Sequence, residues 1–326
     1  MASDKHPHTY KAWPLLAGPT GSGKSSVAME LAALTGGAIV GFDAMQVYRK
    51  LDIGTAKAGE EDQAAADHYL IDIRDPDERF TVREWWEEVL PVLEHLQRKE
   101  QLPIGVGGTP QYVTAMMEGV IPGEMPQDLS LRRQLFSRGD SAAGGWDALY
   151  DELRAADPVK AAALHPNDHR RVVRALEIYQ LTGEKPSDLE AEQQELAARA
   201  IRSGHRDRYP FEVFAINWPR DVLYERINKR VDTMLKEGLL EEARSLHQMS
   251  LGPRATARQA IGYKEFFAWL DGEGTLEDAI ESVKRSSRRY AKRQLSWYRH
   301  KEWVTWLEPE HPDVLANKIL RNIALK

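Results

Sequence analysis

The sequence predicts an α/β protein: a parallel, doubly wound sheet interrupted by an all-helical insertion. Three observations predict it. Short apolar runs alternate with amphipathic helices over the first 120 residues, as strands and helices do in a parallel sheet. A glycine-rich turn joins the first run to the first helix. From Leu129 to about Leu196 no strand candidate occurs, and a strand-like run then returns at Phe211 to Asn217.

The elements follow in order. Trp13 to Ala17 reads as a buried strand, and Lys24 to about Leu34 as a helix whose Val27, Leu31 and Leu34 recur at helical spacing. Ala38 to Phe42 and Tyr69 to Ile73 read as further strands. Thr81, with Glu84 three residues on, forms a capping box that opens a long helix, and Pro91 is expected to kink it. Leu102 to Val106 is a strand running into Gly107-Gly108-Thr109. After Gly119 the residues Pro122, Gly123 and Pro126 mark a break, and Gly139, Gly144-Gly145 and Gly183 punctuate the helices that follow. Arg220 to Leu246 reads as one long amphipathic helix, and the rest as mostly helical with a polar tail. The expected division is a core of residues 1–120 and 202–326 and a helical insertion of residues 121–201.

Composition narrows the function. The chain has 326 residues, 42% hydrophobic and 29% charged, which is a globular composition, and its length predicts roughly two domain-sized units. It has no cysteine, which excludes disulfides and thiolate chemistry. No apolar run suits a membrane span or a secretory signal, so a cytoplasmic protein without membrane contact is expected. The net charge of −6 argues against a polyanion partner, yet its distribution does not. Lys284, Arg285, Arg288, Arg289, Lys292, Arg293, Arg299 and Lys301 fall in one stretch without Asp or Glu, interleaved with Tyr290, Trp297 and Tyr298. Such a stripe suits phosphates and unpaired bases; it suits equally a surface helix whose aromatics pack inward.

The strongest motif is Gly18-Pro19-Thr20-Gly21-Ser22-Gly23-Lys24-Ser25, the P-loop pattern G-x-x-x-x-G-K-[ST], in the strand-to-helix setting the motif requires. Backbone N–H groups and the helix N-terminus attract phosphate oxygens, Lys24 adds a full charge, and Ser25 can hold Mg²⁺. The predicted core is therefore P-loop NTPase-like. Asp43 follows an apolar strand expected beside the P-loop strand, at the carboxyl end where open sheets bind ligands. It reads equally as a loop cap, as an outer partner of magnesium and as a general base. Thr109 carries the same geometric argument. His165 and His169 do not form a metal pair, because Pro166 and the cap Asn167-Asp168 break any common helical face. Arg170, Arg171 and Arg174 read as a solvated face or as phosphate contacts, and Arg226 and Arg230 as pointing into the site or into water.

Together these segments resemble the tRNA dimethylallyltransferase (isopentenyl transferase) family over nearly the whole chain, from about Pro14 to Leu307. The resemblance rests on GPTGSGKS at 18–25, DAMQVYRKLDIGTAKA at 43–58, HYLIDIRDPDERFTV at 68–82 and VGGTPQY at 106–112. It continues in HPNDHRRVVRALEIYQLTG at 165–183, RINKRVDTML at 226–235, QAIGYKE at 259–265 and AKRQLSWYR at 291–299. The chain departs from the family at Ala44, where serine is common, and at Pro110 and Gln111.

The resemblance implies transfer of a dimethylallyl group from its diphosphate to N6 of the adenosine immediately 3′ of a tRNA anticodon. It implies a P-loop that holds the departing diphosphate, Asp43 as the base, Thr109 near the bridging oxygen, Arg230 beside Lys24 on the diphosphate, and Ser25 on Mg²⁺. Asp43, Ala44, Met45 and Gln46, with Thr109, would meet the flipped-out base. Arg132, Arg170, Arg171, Arg174, Gln259, Gly262, Tyr263, Lys264, Lys292, Arg293, Gln294, Trp297 and Arg299 would grip the anticodon stem-loop. A monomer is expected. The rival readings are prenylation of a free adenine nucleotide, an ATP-dependent small-molecule kinase using Asp72 or Asp75, and a non-catalytic RNA-binding module.

Overall fold

The computed structural model describes residues 10–119, 121, 125–141, 144–249, 251–252 and 255–325. The expected break residues Pro122 and Gly123 lie outside them. In chain order the elements are β1 (Trp13–Leu16), α1 (Lys24–Thr35), β2 (Ala38–Gly41), α2 (Glu60–Ala65), β3 (His68–Tyr69), α3 (Val82–Arg98), β4 (Pro103–Val106) and α4 (Pro110–Glu118). Helices α5 (Leu129–Asp140), α6 (Gly145–Ala156), α7 (Pro158–Ala162), α8 (His169–Thr182), α9 (Pro186–Arg202) and α10 (His205–Arg208) follow. The chain closes with β5 (Phe211–Ile216), α11 (Arg220–Glu237), α12 (Leu239–Gln248), α13 (Lys264–Leu270), α14 (Leu276–Tyr298), β6 (Val304–Leu307) and α15 (Pro312–Ile323).

Two compact units result, one of residues 1–117 and 206–326 and the other of residues 118–205. The first is built on a six-stranded sheet of order β3-β2-β4-β1-β5-β6, every pair parallel. Its strands are short and apolar because helices cover both faces. One face packs Phe42, Trp85, Val89, Leu93, Tyr112 and Phe211; the other packs Val27, Leu31, Ile104, Phe214 and Ile319. The Thr81–Glu84 capping box forms as expected, and α3 runs on through Pro91. Among the described residues of the second unit every regular element is a helix, and these pack around Leu135, Leu149, Leu153, Val172 and Leu176.

Four expectations are corrected. The strand that leads to Asp43, β2, is not beside β1: β4 lies between them, because the chain leaves β2 outward to β3 and returns to fill the gap. The strand expected over Tyr69 to Ile73 is only His68–Tyr69, since Leu70 and Asp72 take positive φ and end the pairing. The single helix expected from Arg220 to Leu246 breaks at Gly238, whose φ of 108° closes α11 and opens α12. The tail holds a sixth strand, β6, too short for its alternation to show in the sequence.

Candidate active site

The P-loop leaves β1 and enters α1 with Gly18, Gly21 and Gly23 at positive φ, a path side chains rarely follow. It is held from outside. Trp218 Nε1 donates to the Ser22 carbonyl at 2.9 Å, Arg226 Nε donates to the Gly21 carbonyl at 3.1 Å, and the Arg226 guanidinium lies 4.4 Å from the Trp218 ring centre. Within the loop, Lys24 Nζ donates to the Pro19 carbonyl at 2.7 Å. The Ser22 hydroxyl is buried with no hydrogen-bond partner among the described residues.

Beside the loop opens a cleft of about 850 Å³, lined by Gly21, Gly23, Lys24, Ser25, Arg226 and Arg230 on one side and by Asp52, Lys57, Glu60 and Asp72 on another. Burial and the positive charge of Arg230 lower the Lys24 pKa to about 7, against the opposing pull of Asp43. Burial also lowers that of Arg230, against the weaker opposing pull of Asp43 and Glu237. The cations are crowded and desolvated, an arrangement that a multivalent anion relieves.

Asp43 leaves β2 and Thr109 leaves β4, and the two ends are tied together. The Thr109 hydroxyl accepts from Ala44 N–H at 3.0 Å, while one Asp43 oxygen accepts from Met45 N–H at 2.9 Å and more weakly from Gln46 N–H at 3.4 Å. Asp43 therefore caps its own turn with one oxygen and keeps the other out of those bonds. Neither residue lines the cleft, but the Asp43 charge acts on Lys24 and Arg230 at its edge. It also acts on Tyr112, Tyr290 and Tyr298, whose phenols burial already pushes up and so keeps protonated. Gln46 donates both amide hydrogens to the carbonyls of Thr55 and Ala56, each at 3.1 Å, which leaves its carbonyl oxygen as the group outside those bonds.

The residues assigned to RNA separate into exposed and buried groups. Lys292, Arg293 and Arg299 on and after α14 are exposed, as are Gln259, Lys264, Arg170 and Arg171. Four others are set apart by burial or packing. Tyr263 is fully buried, with its hydroxyl on Glu242, and Gln294 is 2% exposed with its amide bonded inside the protein. Trp297 packs edge-on against Tyr298 and Trp303, as aromatics at helical spacing commonly do. Gly262 is buried, its N–H donating to Glu265. In the helical unit, Arg132 and Arg174 converge on the buried carboxylate of Glu177, at 2.7 and 2.6 Å, and Arg174 also donates to the carbonyls of Pro126 and Met125. These two brace the unit through Glu177. Thr20, assigned to the phosphates, has its N–H committed to Gln294.

Sequence reasoning missed Trp218, Glu242 and Lys57. Lys57, whose side chain is 2% exposed, bridges Asp52 and Asp72 and donates to the Tyr48 carbonyl at 2.7 Å. Asp75 pairs with Arg49 at 3.1 Å. Both carboxylates considered for kinase chemistry are thus ion-paired, Asp72 with the Lys57 it shares with Asp52 and Asp75 with Arg49. Among the described residues no group of three His, Cys, Asp or Glu could hold a metal ion, and no helix is long and apolar enough to cross a membrane.

The family model for IPP transferase matches residues 46–301. A tRNA dimethylallyltransferase of Halalkalibacterium halodurans is 42% identical over 293 residues, covering 90% of each chain. One of Geobacillus thermodenitrificans is 40% identical over 315 residues, covering 96% of each. Among solved structures, the full-length tRNA isopentenylpyrophosphate transferase of Bacillus halodurans superposes with a TM-score of 0.67 at 39% identity, over 96% of this chain and 95% of that one. A eukaryotic dimethylallyltransferase acting on tRNA gives 0.70 at 29% identity, over 97% of this chain and 81% of that one. With that extent of identity and a P-loop set beside Asp43, Thr109 and Arg230, the chain belongs to the IPP transferase family.

Proposed function

We propose that the chain transfers a dimethylallyl group from dimethylallyl diphosphate to N6 of the adenosine immediately 3′ of the anticodon in tRNA, releasing diphosphate. The observation that carries it is the P-loop cleft, whose wall brings buried Lys24 and Arg230 together with Arg226 beside the loop N–H groups, near enough to Asp43 for its charge to act on Lys24 and Arg230. An allylic C–O bond breaks as its electron pair moves onto the diphosphate, and these cations and the loop N–H groups neutralise the charge that develops. The N6 lone pair forms the new C–N bond, and the N6 proton passes to the Asp43 carboxylate. Thr109, tied to Ala44, stands near the bridging oxygen as a hydrogen-bond donor.

The donor set fits Mg²⁺ shared with the substrate. Ser25, in the first turn of α1, lines the cleft, and the Ser22 hydroxyl is a buried polar atom of the same loop with no partner among the described residues. Magnesium is commonly held by few protein oxygens, the rest being water and substrate phosphate. Ser25 would hold the ion, which supplies charge neutralisation at the diphosphate oxygens. For the RNA, exposed Lys292, Arg293 and Arg299, with Arg170 and Arg171, supply phosphate contacts, and the Gln46 carbonyl suits an adenine amino group.

Mass spectrometry of an unmodified anticodon stem-loop, after incubation with enzyme, Mg²⁺ and dimethylallyl diphosphate, tests the proposal. A prenyl mass increment on that adenosine is expected, and Asp43→Ala abolishes it while RNA affinity stays within a few-fold. Consumption of ATP with the RNA unmodified would overturn it.

A further inference from the structure

We propose that Gln294 is a positioning residue that sets the distance between the diphosphate loop and Thr109; the inference rests on the transferase reading above. Gln294 lies on α14, on the turn that also exposes Lys292 and Arg293, but its own side chain points inward and is 2% exposed. Its Oε1 accepts the Thr20 N–H at 3.0 Å, and its Nε2 donates to the Gly108 carbonyl at 2.8 Å. One amide thus joins the P-loop to the turn immediately before Thr109. The two partners fix its orientation, since an N–H needs the oxygen and a carbonyl needs the NH₂.

The joint is tight on every side. A Cβ at Gly108 would fall 2.3 Å from Gln294 Nε2 and 2.8 Å from the Gly18 carbonyl, so only glycine lets the turn approach the loop this closely. The two loops come from neighbouring strands, yet each must hold its substrate part independently: Lys24 and Ser25 the phosphates, Thr109 the bridging oxygen. Misplacement by even an ångström separates these roles. The bond also limits the phosphate cradle, because a Thr20 N–H given to Gln294 is not given to phosphate.

Glutamate separates a positioning role from bulk packing. A Gln294→Glu carboxylate can accept from Thr20 but presents an oxygen to the Gly108 carbonyl; once protonated, its O–H replaces the lost N–H. Gln294→Met keeps the length and makes neither bond. Inorganic pyrophosphate binding by calorimetry, and turnover with RNA, are measured for the wild type and both variants from about pH 8 to about pH 6. Ratios to wild type remove the titration of pyrophosphate itself.

Gln294→Met is expected to lose roughly tenfold or more in turnover at every pH, the scale of one lost buried hydrogen bond. Gln294→Glu is expected to match it near pH 8 and to recover, in both ratios, as the pH falls. The inference is overturned if Gln294→Met binds and turns over like wild type, or if both variants show the same pH-independent loss. If the wild type transfers no prenyl group while pyrophosphate binding still shows the glutamate-specific recovery, the transferase reading fails and the Gln294 joint stands.

Discussion

Tyr263 donates its hydroxyl hydrogen to Glu242, the same carboxylate that accepts the consecutive backbone N–H groups of Asp52, Ile53 and Gly54 at 3.0 to 3.1 Å. That anion fastens residues 52–54 onto α12, immediately before the Thr55 and Ala56 carbonyls that hold the Gln46 amide. Tyr263 in turn lies against Gly54, where a Cβ would fall 2.5 Å from its ring. A tyrosine in a segment rich in RNA-contact candidates therefore acts on the protein's own backbone, at Gly54, through Glu242.

Glu242→Ala would leave three N–H groups and a phenol without their acceptor, at a cost of about 1–3 kcal/mol in unfolding free energy. The KM for RNA should rise, because the turn carrying Gln46 loses its anchor, while pyrophosphate affinity, set on the opposite cleft wall, should not move. Gly54→Ala should reproduce this pattern by displacing Tyr263. Denaturant titration and calorimetry check it; a Glu242→Ala protein as stable as wild type would remove the anchor from the account.

Lys24 gives a pH dependence with a definite sign. Its pKa is lowered from 10.5 to about 7, chiefly by burial and then by Arg230. Between those two values the folded protein binds fewer protons than the unfolded chain, so stability rises with pH across that window and the full penalty is felt below it. Lys24→Met lacks the titration, and its stability relative to wild type should fall as pH rises from about 7 towards about 10. Pyrophosphate should restore the charge, so binding near pH 8 should take up more protons in wild type than in Lys24→Met. Calorimetry in buffers of different ionisation enthalpy measures that difference, and equal uptake would place the anion away from Lys24.

What was legible in the sequence followed from local chemistry. Gly18 to Ser25 announces its loop because the turn needs glycine and the helix start needs Lys24 and Ser25 in fixed spacing. The Thr81–Glu84 box likewise works within one turn. Local backbone turns at Leu70, Asp72 and Gly238 shortened two expected elements, and the remaining surprises concern partners distant in sequence. Gln294 meets Thr20 across 274 positions and Glu242 meets Asp52 across 190, distances at which no spacing rule operates. Nor could the basic stripe disclose that Lys284 is spent on Asp232 while Lys292 faces outward. Strand order failed for the same reason, because β4 enters between β2 and β1 only after a long excursion.

In the helical unit, Glu177 is fully buried and accepts from Arg132, Arg174 and the N–H of Asp128. Burial alone would push its pKa up, but the two guanidinium groups and the N–H outweigh it and hold the carboxyl below its ordinary value of 4.5. The stability it contributes is present above that ordinary value and is lost as pH falls through the lowered one. Glu177→Ala strands two cations and should destabilise the unit by about 3–5 kcal/mol. Thermal unfolding reads the loss, and pyrophosphate binding, proposed for the P-loop of the sheet-based unit, should persist. A wild-type melting profile would show that the arginines do not depend on Glu177.

The same ion cluster separates bracing arginines from those available to RNA. Arg170 is exposed on α8, and Lys292 and Arg293 are exposed on α14, whereas Arg132 and Arg174 are held by Glu177. Each phosphate contact that releases a counterion contributes about 0.7–0.9 to the slope of log K against log salt. Replacing Arg170, Lys292 and Arg293 together by alanine should therefore lower the slope by about 2 to 3 and weaken anticodon stem-loop binding with little change in melting temperature. Arg132→Ala should do the reverse, lowering the melting temperature while leaving the slope nearly intact. Filter binding across a salt series distinguishes them, and an unchanged slope in the triple variant would exclude both exposed clusters from the phosphate backbone.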